Sequence, residues 1–130
     1  MRNKDLPFLF PRKQDAIDIH FQLIEEFGGL HGLRDEPALE SALAAAQNRA
    51  HYEGADLAIC AATYAYHLTQ AHAFIDGNKR IGAAISEIFL EINGAGMNAT
   101  NEEIVTLFLD IAASKLSRDE VEEFFRRCEV

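Results

Sequence analysis

The residues Ala55–Ile92, reading ADLAICAATYAYHLTQAHAFIDGNKRIGAAISEIFLEI, decide the fold. On either side of a central break the apolar residues return every three or four positions. Leu57, Cys60, Ala61, Tyr64 and Leu68 form one stripe, and Ile81, Ile85, Ile88, Phe89 and Ile92 form the other. That period is helical, because residues three and four apart share one face of an α-helix. The spacing predicts a helix from about Ala55 to Ala71 and a second from Asn78 or Lys79 to Ile92, stopped by Asn93 and Gly94.

The same period continues outward. A helix is expected over about Pro11–Phe27, with Ile17, Phe21 and Ile24 on its inner face and Gly28 and Gly29 ending it. Asp35 can cap a second helix ahead of Pro37, one that carries Leu39, Leu43 and Ala46 inward. Asn48–Gly54 reads as a polar loop with room for a short hairpin. Thr100–Glu103 and Ser117–Glu120 are capping boxes. They open helices bearing Ile104, Leu107, Phe108 and Ile111, then Val121, Phe124 and Phe125. No alternating strand pattern stands out, so the expected fold class is all-α, a compact bundle of six helices.

The length of 130 residues suits a single domain spanning 1–130, and 48% apolar content is enough for a sizeable core. Neither the N-terminal MRNKDLPFLF nor any apolar run has the form of a signal peptide or membrane span. A soluble, cytoplasmic protein with no membrane partner is expected. Twelve basic residues against 21 acidic give a net charge of −9, with the basic residues scattered. No direct DNA or RNA binding is expected, since phosphate neutralisation by a basic face supplies most of such affinity. Cys60 and Cys128 lie far apart and form no CxxC pattern, which fits two ordinary thiols in a reducing compartment.

The break between the central helices, His72–Arg80, defies a local rule. A helix N-terminus carries partial positive charge and favours acidic side chains. This one opens on Lys79 and Arg80, directly after Gly77 and Asn78. An anion would remove the conflict: free backbone N–H groups, the helix dipole and two cations together make a phosphate cradle. Gly77 lets an oxygen approach the backbone, and Asn78 can cap the helix and bond a ligand. Asp76, at the mouth, can hold a magnesium ion that bridges phosphates. His72, across the loop, is mostly neutral near pH 7 and so able to accept a hydroxyl proton. Phe74 and Ile75 are expected to anchor the loop in the core. Taken singly these residues are a core aromatic, a turn and a solvated helix start; within nine residues they form a constellation.

These residues resemble the signature of the Fic/Doc superfamily, HxFx[D/E]GNxxR. His72, Phe74, Asn78, Lys79 and Arg80 fall on the HxFxxxNKR pattern of its death-on-curing (Doc) branch. The likeness extends to GGLHGLRDEPALESAL (Gly28–Leu43) and ATYAYHL (Ala62–Leu68) and covers most of the chain, from about Ile17 to Arg127. It implies a Fic/Doc-like helical bundle and a toxin of a type II toxin–antitoxin pair. In AMP-transferring members a second glycine stands where this chain has Lys79. The Doc arrangement implies ATP held in the reversed sense and transfer of its γ-phosphate to a protein hydroxyl, a threonine of elongation factor Tu, which blocks translation. By resemblance His72 is the general base and Asp76 the magnesium ligand, with Gly77, Asn78, Lys79 and Arg80 as the nucleotide- and phosphate-binding group. Asn48–Gly54 would then be the flap that aligns the target peptide.

Gly77 departs from the Doc branch, which has alanine there, and matches the AMP-transferring one. AMP or other nucleotidyl transfer is therefore the first alternative, and a non-catalytic Fic-like protein-binding module the second. No [S/T]xxxE[G/N] self-inhibitory segment occurs, so the expected partner is an antitoxin acting in trans.

Overall fold

Alanines make helix α3 the axis of the fold. In a computed structural model that describes residues 7–130, six helices follow one another: α1 (Lys13–Phe27), α2 (Glu36–Glu53), α3 (Leu57–Ala71), α4 (Asn78–Ile92), α5 (Asn101–Ala112) and α6 (Arg118–Cys128). Ala58, Ala61, Ala62 and Ala65 are all buried along α3, and α2, α4, α5 and α6 pack around it. Side chains this small let neighbouring helices approach closely. The nearest approach is to α4, where a Cβ on Gly82 would collide with Thr69 Oγ1. Tyr64, Leu68, Ile81, Ile85, Phe89, Ile111 and Phe125 fill the remaining space as one core.

The all-α expectation holds: the described residues contain no strand, only the isolated bridges Leu33–Phe74 and Met97–Glu129. The caps are those the sequence announces. Asp35 accepts from Ala38 N–H at 3.0 Å with Pro37 in the first turn. Thr100 with Glu103 and Ser117 with Glu120 close both capping boxes. Each such cap is worth about 1 kcal/mol. No helix is long and apolar enough to cross a membrane among the described residues. The signal-peptide reading of the N-terminus falls partly on residues 1–6, which lie outside them.

Three expectations need correction. Asn48–Gly54 is not a flap hairpin but the last turns of α2, which runs to Glu53 and ends on Gly54 in the left-handed region. Arg49 explains the continuation: its guanidinium is drawn across to α6, bonding Glu122 Oε2 at 2.6 Å and Thr63 Oγ1 at 3.2 Å. In α1 the buried line is Ala16, His20 and Ile24, while Phe21 is 52% exposed and stacks on His31. Ile75 is 50% exposed, so Phe74 alone anchors the loop.

His67, on α3 within reach of the Arg118 and Arg49 charges, has a buried Nε2 without a hydrogen-bond partner among the described residues. Burial, and then those two arginines, push its pKa down. A base with a depressed folded-state value binds protons more readily in the unfolded chain, so stability falls as pH drops below about 6.5. Urea unfolding midpoints should decline from pH 7 to pH 5, and His67→Gln should flatten that decline. An equally steep decline in the variant would show that His67 is not its source.

Candidate functional site

Three elements meet at the break between α3 and α4. Helix α3 ends at His72, which caps it at φ 50°, ψ 39°. A non-glycine residue in the left-handed region costs about 1–2 kcal/mol and persists only where its surroundings over-determine it. The segment Gly28–Asp35 does so here. Arg34 Nη2 donates to the His72 carbonyl at 2.8 Å, and the Arg34 and Asp35 N–H groups both donate to Ala73 O. Two residues further on, Ile75 N–H donates to Gly32 O at 3.0 Å. The His72 side chain is left exposed over the cavity.

The turn itself is stapled by its own side chains. Asn78 Oδ1 accepts from Phe74 N–H at 3.1 Å and Asn78 Nδ2 donates to Phe74 O at 3.0 Å, so this amide locks the loop rather than capping α4. The cap is Gly77, at φ 75°. Asp76 Oδ1 accepts from Gly77 N–H at 2.8 Å and Oδ2 from Leu30 N–H at 3.2 Å. Those backbone donors hold its carboxyl below the usual carboxylate range, Gly77 first and Leu30 second.

Helix α4 begins with the N–H groups of Asn78, Lys79 and Arg80, which have no partner among the described residues; the first intrahelical bond is Ile81 N–H to Gly77 O. They border a cavity of about 260 Å³ lined by His72, Asp76, Gly77 and Lys79 among others. Lys79 is exposed there with no ion-pair partner among the described residues. Arg80 is more engaged. Its Nη1 donates to Gly28 O at 2.8 Å and Leu23 O at 3.4 Å, the carbonyl end of α1, which has no basic residue in its last turn. Part of the charge conflict at the start of α4 is thus answered by a second helix dipole. Beyond Lys79 and Arg80 lies an apolar hollow of about 200 Å³ lined by Ala83, Ile104, Val105, Phe108 and Leu109.

Beneath the turn lies His20 of α1, which the sequence reading did not single out. Its ring stacks on Phe74 with centroids 3.7 Å apart and planes at 11°. A carbonyl can only accept, so His20 Nε2 must carry the hydrogen it donates to Asp76 O at 2.7 Å. Desolvation, the largest influence, pushes its pKa down and keeps it neutral. The thiols take no part: Cys60 is buried, with its pKa pushed up to about 12, and both cysteines are free.

A magnesium ion fits this donor set only in company. No cluster of three metal-ligating side chains exists among the described residues. One anionic carboxylate beside an anion cradle suits a cation that keeps its waters and arrives with phosphate.

His72, Asp76, the first turn of α4 and Lys79 thus border one cavity. Residues 10–90 match the model of the Fic/DOC family. The chain is also 30% identical over 115 residues to the protein kinase doc of Escherichia phage P1, which covers 88% of this chain and 90% of that protein. On this match and this site, the chain belongs to the Fic/DOC family.

Proposed function

We propose that this protein is a Doc-type toxin that moves the γ-phosphate of ATP to a protein hydroxyl and is restrained by an antitoxin acting in trans. The observation that carries the reading is the open N-terminus of α4, with its three unpartnered N–H groups and Lys79, facing the cavity that His72 overlooks. The phage relative is named a protein kinase, which supports the same reaction. The apolar hollow past Lys79 suits the flat base of a nucleotide.

In this mechanism His72 accepts the proton of the acceptor hydroxyl as its oxygen bonds to the γ-phosphorus. The bond to the bridging oxygen breaks and ADP departs with the electron pair. The N–H groups of Asn78, Lys79 and Arg80 and the Lys79 ammonium hold the charge of the transferring group. Arg80 borders the same cavity. Asp76 would hold magnesium, which supplies neutralisation of phosphate charge when bound. Gly28–Leu33, and not Asn48–Gly54, lies against the motif and is placed to align the target chain. The acceptor proposed is a threonine of elongation factor Tu, whose modification would stop translation in the cytoplasm.

Gly77 is the reason for a second reading, AMP transfer, because AMP-transferring members carry glycine at this position; the Cβ it lacks would meet Ile24 and His20 of α1, so the glycine opens no added space for a diphosphate. ATP labelled separately at the α and γ positions separates the two with elongation factor Tu as acceptor. Label should arrive from the γ position alone. Label from the α position alone would overturn the kinase reading.

A further inference from the structure

His20 is 3% exposed, so no substrate reaches its imidazole, and its ring contacts the underside of the motif turn. We propose that His20 is a positioning residue of the transfer site, its Nε2–H fixing the Asp76–Gly77 peptide in the orientation that opens the α4 cradle to an anion. The inference rests on reading the cavity as a phosphate site.

A trans peptide is planar, so its C=O and N–H point in opposite directions. The Asp76 carbonyl points inward to His20 Nε2 at 2.7 Å, and the Gly77 N–H on the other side is taken by Asp76 Oδ1 at 2.8 Å. The two bonds hold the peptide like the ends of a lever and set the carboxylate at the cavity mouth. Turned over, the same peptide would aim its carbonyl oxygen toward the mouth, where a phosphate oxygen would meet another oxygen.

Glycine cannot prevent that turn by itself, because its backbone accepts both signs of φ. A donor on the inner side is what distinguishes the two orientations. His20 supplies it from a rigid element, with its ring clamped by Phe74 and its Nε2 only 3.4 Å from where a Gly77 Cβ would lie. Lys79 and Arg80 add charge to the cradle, but neither sets the direction of its N–H groups.

The test is the affinity of the full chain for inorganic tripolyphosphate without magnesium, measured by calorimetry alongside thermal unfolding and ATP-dependent phosphate transfer. His20→Phe keeps a ring beneath Phe74 and removes the donor. Leaving this partly buried carbonyl without its donor should weaken tripolyphosphate binding about tenfold or more. His20→Gln, whose amide N–H can reach the same carbonyl, should restore affinity to within about threefold of wild type. A merely structural role would lower the melting temperature of both variants without this split in affinity. Nitrogen-15 spectra of the wild-type imidazole should show the Nε2–H tautomer, a requirement that stays testable even if His20→Phe does not fold.

Wild-type affinity in folded His20→Phe, or an Nδ1–H tautomer in the wild type, would overturn the proposal. No tripolyphosphate binding by the wild type would remove the cradle and this inference together. Binding without phosphate transfer would sink only the kinase reading, and the comparison of the variants would still decide the role of His20.

Discussion

His72→Ala should lower phosphate transfer by about 10²- to 10⁴-fold, the range that a positioned general base commonly supplies. The protein should remain folded. The His72 side chain is exposed and forms no hydrogen bond among the described residues, while its structural work is done by its carbonyl, which accepts from Arg34. Alanine sits less well at φ 50° than a residue with a short polar side chain, so His72→Asn is the better control for backbone strain. Both variants should lose the activity, and the asparagine variant should melt at the wild-type temperature or slightly above the alanine one. In cells, expression without an antitoxin should arrest growth, and His72→Ala should relieve the arrest. A wild-type chain harmless at high expression would sink the toxin reading. An alanine variant with full transfer activity would remove His72 from the chemistry.

The bundle was legible because its local signals agree with its packing. Period, caps and glycine stops placed six helices, the end of α2 excepted, to within a few residues, and Leu39, Leu43, Ala46, Tyr64, Leu68, Ile81, Ile85 and Phe89 lie where their spacing puts them. The failures share a cause, a partner distant in sequence. Asn48–Gly54 has the composition of a loop, but Arg49 is tied to Glu122 of α6, 73 residues away. In α1 the apolar residue Phe21 seemed the inward one by hydrophobicity. The inner place belongs to His20 because Asp76 O, 56 residues away, provides its hydrogen-bond partner. A buried histidine on an amphipathic helix gives no periodic signal of its own.

The site was legible at its centre and less so at its edges. The misplaced charge of Lys79 and Arg80 in HAFIDGNKR pointed to an anion as the expected guest, and the N-terminus of α4 borders a cavity there. The division of labour within it was hidden. Asn78 spends both polar atoms on Phe74, and Arg80 reaches the carbonyl end of α1. The Gly28–Leu33 segment looked like a helix stop and proves also to brace the backbone of the motif turn. Nothing in a one-dimensional pattern distinguishes a glycine-rich stop from a glycine-rich clasp.

Phe74→Ala should have the largest effect on stability of any change in the motif. The ring is 2% exposed and fills the space between α1 and the core, face to face with His20. Truncating a buried phenylalanine to alanine costs about 3–5 kcal/mol, set against a total of about 5–15 kcal/mol for a domain of ordinary stability. For a chain of this length the melting temperature should fall by about 10–20 °C. Phe74→Leu, which refills much of the volume, should lose less than half as much. Activity should fall further than folding alone explains, even at a temperature where the alanine variant remains folded. The Phe74 backbone is the point to which Asn78 is stapled and against which Leu33 pairs, so a cavity there loosens both supports of the turn. Thermal unfolding with transfer assays at low temperature checks both parts. A melting temperature within two or three degrees of wild type would show that the loop is not anchored through Phe74. Full activity in the cold would show that its anchorage does not set the geometry of the cradle.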